Sequence, residues 1–139
     1  MKRIREKIED IERFLAELKQ IAPKTLQEYQ NSLEKKAACE RYIEKIIEAI
    51  LDLSFLVIKL HHWRTPKDEN DAFLLLHQKE VIDQELVAKL KAAKGMRNIL
   101  VHQYGNIDDA ILFQALTKEL TIDSSAFIKA VKQTLDKKP

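Results

Sequence analysis

Glycine and proline, the residues that most often interrupt helices, are nearly missing from this sequence. Its 139 residues include only two glycines and three prolines. Turns between short strands usually draw on these residues, so their scarcity argues against a protein built from strands and tight turns. Hydrophobic residues make up 45% of the chain and charged residues 33%, which favours long amphipathic helices. The length suits a single domain, residues 1–139, with a core of its own.

Cysteine, excess charge and long apolar runs are also scarce. The single Cys39 excludes an internal disulfide and suits a reducing compartment. The net charge of +2 is too small to argue for nucleic-acid binding by itself. The most apolar run, Leu53 to Leu60, is too short to span a membrane. The residues after Met1-Lys2-Arg3 are amphipathic, unlike the apolar core of a signal peptide. We therefore expect a soluble, cytoplasmic protein with no membrane partner.

Apolar residues spaced four and three apart predict the first helices. One helix is expected over residues 2–21 and a long one over residues 33–60. A capping box at Thr25 to Glu28 predicts a short helix between them. The long helix has apolar residues beyond its main seam, at Ile47, Leu51 and Phe55. Such a helix is expected to be buried on two sides. One side would face the bundle, and the other would face a partner chain or, alternatively, be covered by a fifth helix of the same chain.

The sequence also predicts helices in the second half of the chain. Thr65-Pro66 is expected to start a new segment, with the proline suited to a first helical turn, and a short helix that includes Phe73 and Leu76 is expected to follow. Asp83 is a good N-cap for a helix over residues 84–103, which Gly105-Asn106 should end. Gly95 inside this helix costs stability, which indicates a close approach by a neighbouring element or, alternatively, a simple kink.

The last helix is predicted from Ile107 or Asp108 to about Leu135, with a break considered near residues 121–123. No strand pattern is visible. The predicted fold is therefore all-α, an up-and-down bundle of four main helices plus one or two short helices.

Four polar residue types are concentrated in the stretch Arg97-Asn98-Ile99-Leu100-Val101-His102-Gln103-Tyr104. At about 100° per residue, its Arg, Asn, His and Tyr side chains fit on one side of a helix, whereas Met96, Ile99 and Leu100 face the other way and can enter a core. Arginine offers a planar fork of donors to phosphate oxygens, and histidine exchanges protons near neutral pH. No Cys or carboxylate cluster lies nearby in sequence for a metal. This set suits metal-independent cleavage of RNA through its own 2′-hydroxyl. Spacing alone, however, favours a plainer interpretation, a helix end whose cations interact with the C-terminal dipole.

The pattern Arg-Asn-x-x-x-His-x-Tyr resembles the signature of the HepT-like ribonuclease toxins of the HEPN superfamily. The resemblance extends from about Glu40 to Asp108, and the four motif positions show no departure from it. Other parts of the chain also resemble the family. Glu40-Arg41-Tyr42 and Ile47 to Asp52 are similar to its long helix, and Pro66, Asp71-Ala72-Phe73 and Leu76 are similar to its connecting segment. Gly95-Met96 precede the arginine, as they often do in the family.

This resemblance implies a HEPN-like helical fold and an RNA endonuclease that needs no metal or cofactor. It implies the toxin of a type VII toxin–antitoxin pair and a homodimer whose two motifs share one cleft. Arg97 would hold the scissile phosphate, His102 would act as general base or acid, and Asn98 would orient either of them. The partner would be a nucleotidyltransferase (MNT) antitoxin, which in related pairs transfers AMP from ATP to the tyrosine that corresponds to Tyr104.

Two carboxylates on the long helix have alternative interpretations. Glu48 and Asp52 lie where the family's pattern places an acidic pair, so both are candidates for lining the cleft or for a role in the dimer. Otherwise they belong to a solvated stripe with Arg41 and Lys45.

Three histidines outside the motif, His61, His62 and His77, are expected at the surface or at helix ends. Adjacent histidines on a helix point about 100° apart and make a poor metal pair.

A second class of function stays open beside the ribonuclease. The chain would then be a non-catalytic helical partner that binds nucleotide or substrate for a separate nucleotidyltransferase. The complete set of Arg97, His102 and Tyr104 favours the ribonuclease, and RNA cleavage by the isolated protein separates the two.

Overall fold

Four long helices dominate the computed structural model, which describes residues 1–102 and 107–137. The helices are α1 (Lys2–Ile21), α2 (Leu26–Gln30), α3 (Leu33–Leu60), α4 (Glu69–Gln78), α5 (Gln84–His102), α6 (Asp109–Gln114) and α7 (Leu120–Asp136), and a π-helical turn, Ala115–Glu119, joins α6 to α7. No strand occurs in the described ranges, and the predicted all-α bundle is confirmed. None of the described helices combines the length and the apolar composition needed to cross a membrane.

Polar side chains set several helix starts, because the first N–H groups of a helix have no partner within it. Thr25, Ser32 and Asp83 each accept a hydrogen bond from the backbone N–H three residues later. The predicted ranges of α1 and α3 are confirmed, and so is the start of α5 after Asp83.

The central helix is α3, which packs against both α1 and α5. Ile47 and Leu51, which were expected to help form a partner-facing side, are only 2% and 3% exposed. Other helices of the same chain cover these two residues, so the predicted partner-facing side of α3 is wrong there. Phe55 is the one of the three that stays substantially exposed.

The start of α4 is fixed by a small polar cluster. The helix begins at Glu69, so the prediction that Pro66 lies in its first turn is wrong. Asp68 is the N-cap and accepts a hydrogen bond from the backbone N–H of Asp71 at 2.7 Å. The Arg64 guanidinium donates hydrogen bonds of 2.7 and 3.1 Å to the Asp71 carboxylate and, with a backbone N–H, lowers the pKa of Asp71 to about 2. These contacts hold the segment between α3 and α4 and thereby place the first residue of α4.

The π-helical turn keeps the buried residues of the C-terminal helices directed at the core. The break considered near residues 121–123 is absent, because α7 runs without interruption from Leu120. The irregularity lies one turn earlier, at Ala115–Glu119. Buried residues recur here every four positions, at Leu112, Leu116, Leu120 and Ser124. A strict four-residue spacing drifts around an α-helix of 3.6 residues per turn, and a wider turn corrects that drift.

Candidate active site

The polar motif lies in the second half of α5, beyond the part that anchors this helix in the core. The first half is buried through three apolar residues, Leu86, Val87 and Leu90. Each residue from Ala93 to Leu100 is only partly buried. Met96 and Leu100 pack against the core, which confirms the predicted apolar back of the motif at these two positions. Ile99, which was predicted to face the core with them, is partly buried but does not pack against it, so that part of the prediction is wrong.

The Arg97 guanidinium is held by a single carboxylate. Its Nη2 donates hydrogen bonds of 2.9 and 3.1 Å to the two oxygens of Glu69. The Arg97 side chain is 13% exposed, whereas that of Glu69 is 38% exposed. The Nε of Arg97 is buried and has no hydrogen-bond partner among residues 1–102 and 107–137. Glu69 engages only Nη2, so these contacts leave the donors of Nη1 available.

Glu69 is a residue that the sequence did not single out. It opens α4 and is separated from Arg97 by 28 positions along the chain. Acidic residues are common in the first turn of helices because they interact favourably with the helix dipole. Its position therefore gives no sign of a contact with Arg97, and only the packing of α4 against α5 brings the two together.

Asn98 and His102 lie one turn apart on α5. Asn98 is partly exposed, and His102 is exposed at the end of the helix. The structure therefore gathers Arg97, Asn98 and His102 on one stretch of α5, in line with the helical spacing. Tyr104 lies outside the described residues, as does the predicted helix end at Gly105-Asn106.

The two carboxylates considered on α3 lie apart from this contact. Asp52 is exposed, and its carboxylate is 3.5 Å from the Nζ of Lys7 on α1. Glu48 lies one turn earlier and is partly buried. In the described part of the chain, no hydrogen bond or ion pair joins either residue to Arg97. Their role in a cleft stays a prediction.

The other histidines occupy helix ends, as expected. The Nδ1 atoms of His61 and His77 each donate a hydrogen bond of 3.0 Å to a backbone carbonyl oxygen. His62 is exposed just after α3, with a left-handed φ of 55°. Within residues 1–102 and 107–137, no three His, Cys, Asp or Glu side chains converge as a metal site would require.

A cavity of about 220 Å³ lies beside α5, between α3, the π-helical turn and α7. Its walls are mainly apolar, with Ile43, Ile47 and Met96 among them, and they also include Lys89 and Asp123. Burial raises the pKa of Asp123. Arg97, Asn98 and His102 are not among the described residues that line this cavity, so these three side chains do not open into it.

One face of α5 is left largely uncovered by the described residues, although Ala92 at its edge also lines the cavity. A Cβ atom added at Gly95 would meet no atom within 4 Å, so the close approach predicted there is wrong within the described chain. Gly95 shares a helix face with Ala88, Ala92 and Ile99, and all four are exposed or only partly buried. We call these four residues the α5 stripe. Continued by three residues, the same face reaches His102.

Three comparisons with known proteins converge on one family. Residues 4–133 match the family model described as HepT-like ribonuclease. The tRNA nuclease HepT of Aphanizomenon flos-aquae is 28% identical over 114 residues, which cover 82% of this chain and 78% of that protein. The mRNA nuclease HepT of Shewanella oneidensis is 30% identical over 90 residues, 65% of this chain and 67% of that protein. Among solved structures, the tri-AMPylated Shewanella oneidensis HEPN toxin in complex with its MNT antitoxin superposes with a TM-score of 0.87 at 25% identity, covering 94% of this chain and 96% of that one.

Proposed function

Because the chain belongs to the HepT-like ribonuclease family, we propose that it is a metal-independent RNA endonuclease and the toxin of a toxin–antitoxin pair that acts in the cytoplasm. The observation that carries this proposal is the set of Arg97, Asn98 and His102 on one stretch of α5, where none of the three is fully buried. The set combines an arginine that can bind phosphate, an amide and an imidazole that can transfer protons.

The proposed reaction uses the RNA's own 2′-hydroxyl as nucleophile. A His102 ring nitrogen takes the hydroxyl proton, the 2′-oxygen bonds to the neighbouring phosphorus, and the bond from phosphorus to the 5′-oxygen breaks. The leaving oxygen receives a proton from a second histidine. Arg97 stabilises the charge that develops on the pentacoordinate phosphorus, chiefly through Nη1, and Asn98 orients the phosphate or His102. The products are a 2′,3′-cyclic phosphate and a 5′-hydroxyl.

Cleavage by the purified protein tests this function against the non-catalytic alternative. We expect end-labelled RNA to be cut in the presence of excess chelator, with cyclic phosphate at the new 3′ ends. The same RNA carrying 2′-O-methyl groups is expected to stay intact, because its nucleophile is blocked. A protein that binds nucleotide but leaves RNA whole would instead be the helical partner of a nucleotidyltransferase.

The second histidine in this reaction comes from a second copy of the chain. A C2 dimer brings the same surface of both copies together, and the α5 stripe is a surface of small and apolar side chains that the described residues leave exposed or only partly buried. Because His102 continues this face, packing of two stripes would place both histidines beside a shared cleft. The homodimer thus rests on α5 rather than on the surface of α3 that was expected to face a partner.

Substitution of Gly95 by arginine is expected to give a monomer that no longer cleaves RNA. The open space around Gly95 accommodates the side chain within one copy, whereas a second copy would meet a long cation in the middle of the stripe. Sedimentation at micromolar concentration measures the change. Ala16→Arg, at an exposed position of α1, is the matched control and should stay dimeric. A dimeric and active Gly95→Arg protein would exclude the stripe as the interface.

The proposed partner is an MNT nucleotidyltransferase that neutralises the toxin. Its reaction joins the Tyr104 hydroxyl oxygen to the α-phosphorus of ATP and releases pyrophosphate. The attached AMP would carry a nucleoside and a phosphate charge next to the motif. The phosphate would pair with Arg97, repel the RNA backbone and leave less room for RNA.

A further inference from the structure

We propose that Glu69 is a positioning residue for the ribonuclease reaction and that it holds the Arg97 guanidinium with Nη1 directed at the scissile phosphate. This inference rests on the proposed function, because it concerns the orientation of the arginine that the reaction uses. Neither the motif nor the spacing of the sequence indicates Glu69.

The first argument is that Arg97 depends on this one contact. An arginine side chain has many rotamers and loses much freedom when it is fixed. In the described part of the chain, both of its hydrogen bonds go to Glu69, and Nε has no partner although it is buried. Without the carboxylate, no other recorded polar contact defines where the guanidinium points.

The second argument is that the carboxylate sits on a well-anchored part of the fold. Glu69 is the first residue of α4, directly after the N-cap Asp68. The Arg64–Asp71 pair, at 2.7 Å, braces the same turn of the helix. Catalytic groups are positioned most accurately by partners whose own conformation is fixed by packing and hydrogen bonds. Glu69 meets that condition better than a residue on a long loop would.

The third argument is that the contact leaves room for the substrate. Both Glu69 oxygens accept from the same nitrogen, Nη2, instead of forming the two-nitrogen fork that arginine commonly forms with carboxylates. No contact between described residues uses the donors of Nη1, so a carboxylate and a phosphate fit on the same guanidinium at once. If Glu69 instead competed with RNA for the guanidinium, its substitution would speed cleavage. The direction of the change in cleavage rate therefore distinguishes the two roles.

Single-turnover cleavage of RNA by Glu69→Gln tests the role. We expect cleavage at least about tenfold slower than native, because small errors in the position of a catalytic group cost one to two orders of magnitude. The affinity for a non-cleavable 2′-O-methyl RNA should change much less than the rate. The matched control is Glu44→Gln, which removes a carboxylate 3.4 Å from Arg41 on α3 and should cleave at the native rate. A rate of Glu69→Gln equal to or above native would overturn the proposal.

A double substitution separates positioning from a general effect on the fold. In an Arg97→Lys background the guanidinium is gone, so the further change of Glu69 to Gln should slow the residual cleavage far less than it slows the native protein. Equal factors in both backgrounds would assign Glu69 a structural role only and refute the proposal.

Arginine side-chain NMR gives a readout that does not depend on activity. Two hydrogen bonds on Nη2 should slow rotation about the Cζ–Nη2 bond of Arg97, and this rotation should become fast in Glu69→Gln. The Arg97 signals are assigned by their loss in Arg97→Lys. Fast rotation in the native protein would refute the contact itself. If the native protein fails to cleave RNA, the proposed function falls, whereas native cleavage that persists undiminished in Glu69→Gln overturns only the role of Glu69.

Discussion

Alanine at His102 is expected to abolish measurable RNA cleavage, and alanine at Arg97 to do the same, while both proteins stay folded. Loss of a general acid or base typically costs about 10² to 10⁴ in rate. Loss of a group that stabilises transition-state charge costs about 10² to 10³. Cleavage of labelled RNA and growth after induction in cells without the antitoxin are the two measurements. His102 is exposed, so its truncation opens no cavity in the core.

Matched substitutions control for the loss of a histidine or an arginine as such. His62 is exposed beyond α3, and asparagine tolerates its left-handed backbone, so His62→Asn should cleave normally. Arg41→Ala removes an exposed arginine whose recorded partner is Glu44 and should also be active. The mechanism is wrong if His102→Ala protein, freed of contaminating nuclease, cuts RNA at the native rate.

Phenylalanine at Tyr104 is expected to abolish AMP transfer by the antitoxin and thereby to escape neutralisation. The change removes the only atom of the side chain that can attack ATP. A phenol with its ordinary pKa near 10 is a poor base at neutral pH, so cleavage itself should survive the substitution in large part. Intact-mass analysis after incubation with the nucleotidyltransferase, ATP and magnesium should show AMP-sized additions on native protein and none on Tyr104→Phe.

Another tyrosine supplies the control for this experiment. Tyr42 on α3 is partly exposed, and its hydroxyl donates a hydrogen bond to Glu17, so Tyr42→Phe should be labelled like the native chain. Equal labelling of native protein and Tyr104→Phe would place the acceptor elsewhere. In cells that also produce the antitoxin, we expect Tyr104→Phe to inhibit growth, whereas the native protein should be neutralised.

Helix boundaries were the most predictable part of the structure, because local chemistry sets them. Thr25, Ser32 and Asp83 satisfy N–H groups three residues later, and such pairs are visible in sequence. The same logic failed at α4, where two capping signals compete. Pro66 suits a first turn, but Asp68 caps the helix instead, since the pairing of Arg64 with Asp71 fixes this segment.

Contacts between residues that are distant in sequence could not be predicted from hydrophobic periodicity. The contact between Glu69 and Arg97 depends on how α4 packs against α5, and the sequence around neither residue indicates it. The excess of apolar residues on α3 correctly indicated that this helix is buried on two sides. Sequence alone did not tell whether the second cover comes from the same chain or from another, and at Ile47 and Leu51 it comes from the same chain. Gly95 raised the same ambiguity, and the space around it is open.

The π-helical turn between α6 and α7 is the place where this part of the chain can lose a residue. A π turn holds one residue more than an α turn, so if one residue of Ala115–Glu119 were deleted, α6 and α7 would merge into one regular helix and the later side chains would keep nearly the same direction. Phe127 and Val131, both fully buried, would then stay in the core. A one-residue deletion within α7 itself would instead rotate every later side chain by about 100° and change which residues form the core.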